Sequence, residues 1–315
     1  MGGSSYDRDV FSSSSSASWG SSSTSASKLS SSSLDSSMNP KGRILRSGAK
    51  TPIIIMLDVT GSNINFARLV YDKLPMFYGQ IEQKGYAKDF EIAVCAVGDA
   101  YTDNYPLQIP EFSKGIELDS WMEKLVLEGR GGGQKSESYE LAAHYLTEMT
   151  EFSADANPIV FFIGDEFPYP TVNKGQAEHF DIPLAEPVDP FPALRKKFGD
   201  NVFMFLNKYG GRDFDAEITK AWESRLAPEH TIKVNEEKAI VDLMLGVLAA
   251  IARVSLKTYT IHMLERGQDA ARIETVSDSL KILTTALIPI EQFKTNLPKT
   301  NATESTSDST SGKRL

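Results

Sequence analysis

Apolar and polar positions along this chain follow two alternating patterns. Short continuous apolar runs stand at 52–57 (PIIIML), 90–97 (FEIAVCAV), 158–165 (PIVFFIGD) and 201–206 (NVFMFL). Runs of that length, rich in β-branched and aromatic residues, predict strands covered on both faces. TIKV at 231–234 predicts a fifth strand. PLQIPEF at 106–112, with its prolines, predicts a weak one at the sheet edge. Between the runs, apolar residues recur every three or four positions. Ile64, Ala67, Val70, Leu74, Phe77 and Ile81 mark an amphipathic helix that Pro75 is expected to kink. ELDSWMEKLVLE (117–128), SESYELAAHYLTEM (136–149) and segments near 213–225 and 236–256 read as further helices, and the glycines after residue 128 end the first of these.

Strands alternating with helices predict an α/β fold: a Rossmann-like, doubly wound, mostly parallel sheet with helices on both faces. The serine-dominated residues 1–48 carry almost no aliphatic side chains and read as a disordered tail. Residues 49–256 form the domain, 257–293 a C-terminal helical extension, and 294–315 a second disordered tail. The stretch AIVDLMLGVLAAIARV (239–254) is too short to span a bilayer and is interrupted by Asp242 and Arg253, so it reads as a buried helix.

Charge narrows the partners. The formal net charge of −9 speaks against nucleic acid and against anionic membranes. It suits a soluble protein or one whose site holds a cation. The single cysteine, Cys95, lies in an apolar run and reads as a small buried hydrophobe. Without a disulfide framework or a signal peptide, the expected location is the cytoplasm. The four histidines show no metal-ligand spacing.

In doubly wound folds, ligands sit beyond the carboxyl ends of the strands, where strand order reverses. Acids stand at three such tips: Asp58 in DVTGSN, Asp99 and Asp103 in GDAYTD, and Asp165 in GDEFPYP. Asp58, Thr60 and Ser62 alternate, so one carboxylate and two hydroxyls point the same way from an extended turn. That donor set fits a hard cation with oxygen ligands. The same three residues are also good helix N-caps. Asp99 and Asp103 read first as turn formers. GRGGGQKS (129–136) has the glycines and the Lys-Ser ending of a phosphate loop. Gln134, however, stands where that loop needs its last glycine, and the segment follows a helix rather than a strand.

IIIMLDVTGSN resembles the first segment of the metal-ion-dependent adhesion site of von Willebrand factor type A (vWA) domains, with its Asp-x-Ser/Thr-x-Ser at a central strand end. VFFIGDE resembles the third segment. GGGQKSE (131–137) resembles the glycine-rich second loop of an intracellular branch, Gly-Gly-Gly-Asp-x-x-Glu, with Gln134 in place of the acid. The resemblance covers about residues 50–256. It implies a metal site built from Asp58, Thr60, Ser62, Glu137 and Asp165. The family's second-loop threonine is missing, and either Gln134 or Ser136 takes its role or the first loop and water hold the cation alone. The ion implied is magnesium, with manganese and calcium as alternatives. The function implied is metal-dependent binding of an acidic side chain on a protein partner, without catalysis, in an adaptor that works alongside partners such as AAA+ ATPases. A magnesium-dependent phosphohydrolase is the alternative, weakened by Thr60 where a second aspartate belongs; a structural domain with a vestigial site is another. The loop 167–192, with Phe167 and Tyr169 beside Asp165, reads equally as a partner-contacting rim or as an insertion packed on its own domain.

Overall fold

The computed structural model describes residues 33–129 and 135–286. Its first half runs β1 (Leu45–Ser47), β2 (Thr51–Asp58), α1 (Ile64–Lys84), β3 (Phe90–Val97), β4 (Leu107–Gln108), α2 (Glu117–Met122), β5 (Ser136–Glu137), α3 (Tyr139–Glu148) and β6 (Thr150–Phe152). The second half runs β7 (Ile159–Gly164), β8 (Phe167–Pro168), α4 (Lys174–His179), α5 (Phe191–Phe198), β9 (Val202–Leu206), α6 (Arg212–Leu226), β10 (Thr231–Lys233), α7 (Ile240–Ile251), α8 (Leu256–Glu265) and α9 (Ala270–Ala286).

The central sheet has the order β10-β9-β7-β2-β3-β4. All pairs are parallel except β3 with the edge strand β4. Successive side chains of a strand face opposite sides of the sheet, and each side here has its own core. Ile53, Ile55 and Leu57 of β2 and Ile159, Phe161 and Ile163 of β7 pack with α1, α7, α8 and α9. Ile54, Met56, Val160 and Phe162 pack on the other side with α3, α5 and α6. This is the Rossmann-like α/β arrangement that the continuous apolar runs imply. Cys95 is fully buried in the second core, and burial pushes its thiol up. Among the described residues, no helix is long and apolar enough to cross a membrane.

Two expectations need correction. Residues 33–48 are not tail. Leu45–Ser47 pairs in parallel with Thr150–Phe152, and Met38 and Leu45 are fully buried. The Arg43 guanidinium donates to the carbonyls of Ser37 and Ile109, while the Ile109 amide donates to the Met38 carbonyl at 2.8 Å. A few well-placed apolar residues outweigh the serine-rich average of the segment. The helix expected over 117–128 stops at Met122. The Gln108 amide bonds both the N–H and the carbonyl of Val126 at 2.8 Å, which holds the following residues extended against the edge strand. Helix α1 continues through Pro75 to Lys84. Residues 1–32 and 287–315, including the whole expected C-terminal tail, lie outside the described residues.

Helices α8 and α9 close over α7 around a buried acid. Asp242 pairs with Arg266 at 2.7 Å and with Arg272 at 3.4 Å. A lone buried carboxylate would be costly, so these two arginines tie the C-terminal helices to the domain.

Candidate metal centre

Strand order reverses at β2, which has β3 on one side and β7 on the other. Asp58 ends β2, and Asp165 follows Gly164, the last residue of β7. The register Leu57↔Ile163 therefore places the two carboxylates on neighbouring strand tips.

Asp58 is fully buried and fully engaged. Its Oδ1 accepts from the Thr60 amide at 2.9 Å and the Thr60 hydroxyl at 2.6 Å. Its Oδ2 accepts from Asn63 Nδ2 at 3.0 Å and the Tyr139 hydroxyl at 2.5 Å. Asn63 Nδ2 also reaches Asp165 Oδ1 at 2.5 Å, and the Ser62 hydroxyl donates to the same oxygen at 3.2 Å. The amide of Asn63 thus bridges the two aspartates. The N-cap alternative for Asp58, Thr60 and Ser62 fails. The cap of α1 is Asn63, and no side chain caps that helix. The hydroxyls are aimed at carboxylates instead.

Two glycines permit this packing. A β-carbon on Gly164 would overlap the Tyr139 hydroxyl that reaches Asp58. A β-carbon on Gly61 would stand 3.0 Å from the Gly129 carbonyl oxygen, so the start of the glycine-rich segment closes directly on the DVTGS turn. Residues 130–134, Gln134 among them, lie outside the described residues.

Residues Ser136 and Glu137 form β5, which pairs with β8, rather than the first turn of a helix. Side-chain alternation turns the half-buried Ser136 and the buried Glu137 to opposite faces. Ser138 fixes the ladder to the sheet, its amide donating to the Gly98 carbonyl at 3.1 Å and its hydroxyl accepting from Ala100 N at 2.9 Å. Lys135, the lysine of the phosphate-loop reading, sits with its ammonium 3.1 Å from the centroid of the Phe214 ring.

The electrostatics are those of crowded buried acids. Burial first, and then the Asp165 charge, raises the Asp58 carboxyl to about 7. Burial raises Asp165. Glu137 is pushed up to about 11 by burial and then by Asp58 and Glu166, and Glu166 to about 8 by burial and then by Asp165 and Asp58. Among the described residues, no lysine, arginine or histidine forms an ion pair with any of these four. Nor do three acidic, histidine or cysteine side chains converge there into a ready-made metal cage. Asp99 is a turn former, accepting from Tyr101 N at 3.1 Å and the Thr102 hydroxyl at 3.0 Å. The long loop is tied in as well: the Tyr169 hydroxyl donates to Asp99 at 3.1 Å, its amide to Glu140 at 3.1 Å, and its ring packs on the exposed Tyr101.

Sequence reasoning missed Asn63, Tyr139 and Glu166. Glu166 stands in the quoted GDEFPYP and was legible as an acid beside a strand tip. Asn63 and Tyr139 carry no such signal, because their roles depend on contacts across the chain.

No family model matches the chain, and no curated protein matches it. Among solved structures it is similar to the pilus adhesin SpaC from Lactobacillus rhamnosus GG in its open conformation, with a TM-score of 0.44 and 10% identity over 67% of this chain and 31% of that one. It is also similar to proximal thread matrix protein 1 from the mussel byssus, with a TM-score of 0.42 and 12% identity over 64% of this chain and 48% of that one. The chain therefore spans less than half the length of either.

Proposed function

We propose that the strand-tip cluster holds a hard divalent cation, magnesium first, with manganese or calcium as alternatives. We further propose that the chain is a non-catalytic protein–protein interaction module of the vWA kind. The observation that supports this most is the joining of Asp58, Thr60, Ser62 and Asp165 at the switch point of the sheet, among buried acids to which, among the described residues, no cationic side chain is paired. The donor set is all oxygen, as magnesium and calcium prefer. Buried carboxylate oxygens of Glu137 and Glu166 have no hydrogen-bond partner, so the cluster has acceptors to spare. Asp58, Ser62 and Asp165 would hold the ion, and Thr60 and Asn63 would orient the aspartates. A bound cation supplies positive charge at the surface, where the exposed Ser62 turn leaves room for an acidic side chain of a partner. The partner class suggested by the resemblance is a protein of an intracellular complex such as an AAA+ ATPase, met in the cytoplasm. The phosphohydrolase alternative lacks its second aspartate, since Thr60 stands two residues after Asp58.

Thermal unfolding with and without millimolar magnesium, on wild type and Asp58→Asn, tests the metal. A cation that binds only the native state raises the melting temperature by mass action. A rise in wild type that Asp58→Asn abolishes supports the reading, and a pull-down in magnesium against chelator then tests the partner. No rise with magnesium, manganese or calcium would leave a structural domain with a vestigial site.

A further inference from the structure

The chain carries a formal net charge of −9, yet one cleft on it reverses the sign. This cleft opens between α5 and α6, beside the turn of Gly199 and Asp200 that leads into β9. Because β9 runs parallel to β7, the start of β9 lies at the edge of the sheet opposite to Asp58 and Asp165. The cleft has a volume of about 690 Å³, within the range that small-molecule sites occupy. Arg195 and Lys196 of α5 and Arg225 of α6 line it, against two acids, Asp189 and Asp200.

The chain's own groups leave these cations largely unanswered. Basic residues near a helix end often bond its last carbonyls and complement its dipole. Lys197 does this for the end of α3: its ammonium donates to the carbonyls of Thr147 and Thr150 at 2.7 and 2.8 Å. Its neighbours Arg195 and Lys196 are exposed, and among the described residues their side chains form no ion pair. Arg225 donates through Nη1 to the Ala221 carbonyl at 3.2 Å, but its buried Nε has no acceptor. It pairs with neither acid of the same cleft, although an unanswered buried donor is costly. Its guanidinium stands 5.7 Å from the centroid of the Phe191 ring, and that fully buried ring is wedged against Trp222 at 5.5 Å. Arg225 is therefore mounted on a rigid aromatic floor. Asp189 is fixed as well, its Oδ1 accepting from the Phe191 amide at 3.1 Å.

Cations on two walls suit a dianion with several acceptor oxygens, and a guanidinium suits the oxygens of a phosphate. The two carboxylates would repel a bare phosphate. They suit a ligand that brings its own donors, as hydroxyl groups do. We propose that the cleft between α5 and α6 binds a phosphorylated, hydroxyl-rich small molecule of the hexose phosphate class. The phosphate lies among Arg195, Lys196 and Arg225, and hydroxyls donate to Asp189 and Asp200. The inference goes beyond the strand-tip cation and does not rest on it.

Isothermal titration calorimetry of the full chain tests this, with inorganic phosphate, glucose 6-phosphate and glucose as probes. Chelator is present throughout, so that the result is independent of any bound cation. Glucose 6-phosphate is expected to bind one to one, at least about tenfold tighter than inorganic phosphate, and glucose alone is expected to give no saturable heat. The double variant Arg195→Gln/Lys196→Gln changes only exposed side chains and is expected to weaken glucose 6-phosphate at least about tenfold. Arg225→Gln should do the same; if it fails to fold, the double variant carries the test. Lys220→Gln removes a charge from an exposed position of α6 outside the cleft and should leave the affinity unchanged. No saturable binding of either phosphate overturns the proposal. So does equal affinity for the two phosphates, or a loss in the cleft variants no greater than in Lys220→Gln.

Discussion

Asp58→Asn tests the electrostatic reasoning most directly. Burial and the Asp165 charge raise this carboxyl from 3.8 to about 7 in the folded chain. The folded state therefore binds the proton more tightly than the unfolded chain does. The group's contribution to stability is fully present below 3.8 and is lost as pH rises through about 7. Every tenfold gain in proton affinity is worth about 1.4 kcal/mol, so ionising Asp58 costs the cation-free fold up to about 4 kcal/mol at alkaline pH. Asparagine removes that cost. It also turns an acceptor into a donor, facing either Thr60 or the Asn63–Tyr139 pair, at about 1–3 kcal/mol whatever the pH. In chelator near pH 8, the variant should then be the more stable by roughly 1–3 kcal/mol, a rise of several degrees in Tm. Near pH 4, where the wild-type carboxyl is protonated even when buried, the variant should be the less stable. Saturating magnesium near pH 8 should restore wild type, by about 2.7 kcal/mol at a hundredfold excess over Kd, and leave the variant unmoved. Urea unfolding at the two pH values reads all of this. A variant destabilised by the same margin at both pH values in chelator refutes the reasoning, because the Asp58 charge would then be compensated inside the fold.

Gly164→Ala should cost about 1–3 kcal/mol, since its β-carbon displaces the Tyr139 hydroxyl from Asp58; the cost should shrink in a Tyr139→Phe background, and a double-mutant cycle by urea unfolding measures the coupling. Asp242→Ala leaves two arginines without their buried partner, and about 3–5 kcal/mol of stability should be lost, read from the shift in urea midpoint. Met38→Ala should cost about 2–5 kcal/mol by the same measurement, because Met38 is fully buried although its neighbourhood is serine-rich; no effect would show that residues 33–48 do not belong to the fold in solution.

How much was legible follows from the kind of signal each feature leaves. Apolar runs report the environment of a single strand, so β2, β3, β7 and β9 could be read within about a residue of their ends. Residues 33–48 were not legible, because their burial rests on Met38, Leu45 and one arginine finding carbonyls across the chain, while composition averages such residues away. The false extension of the helix after Met122 has a similar origin: the competing bonds come from Gln108, fourteen residues earlier than the helix end.

The candidate site divides along the same line. Asp58 and Asp165 each end an apolar run, and the topology rule for doubly wound sheets brings the tips of neighbouring strands together. The residues that join them answer to pairing instead. Asn63 matters because β2 and β7 are adjacent, and Tyr139 because Gly164 leaves it room. A motif therefore locates the acids but not the balance of donors and acceptors around them. Only that balance separates aspartates whose oxygens are taken by the chain from glutamates whose oxygens are free.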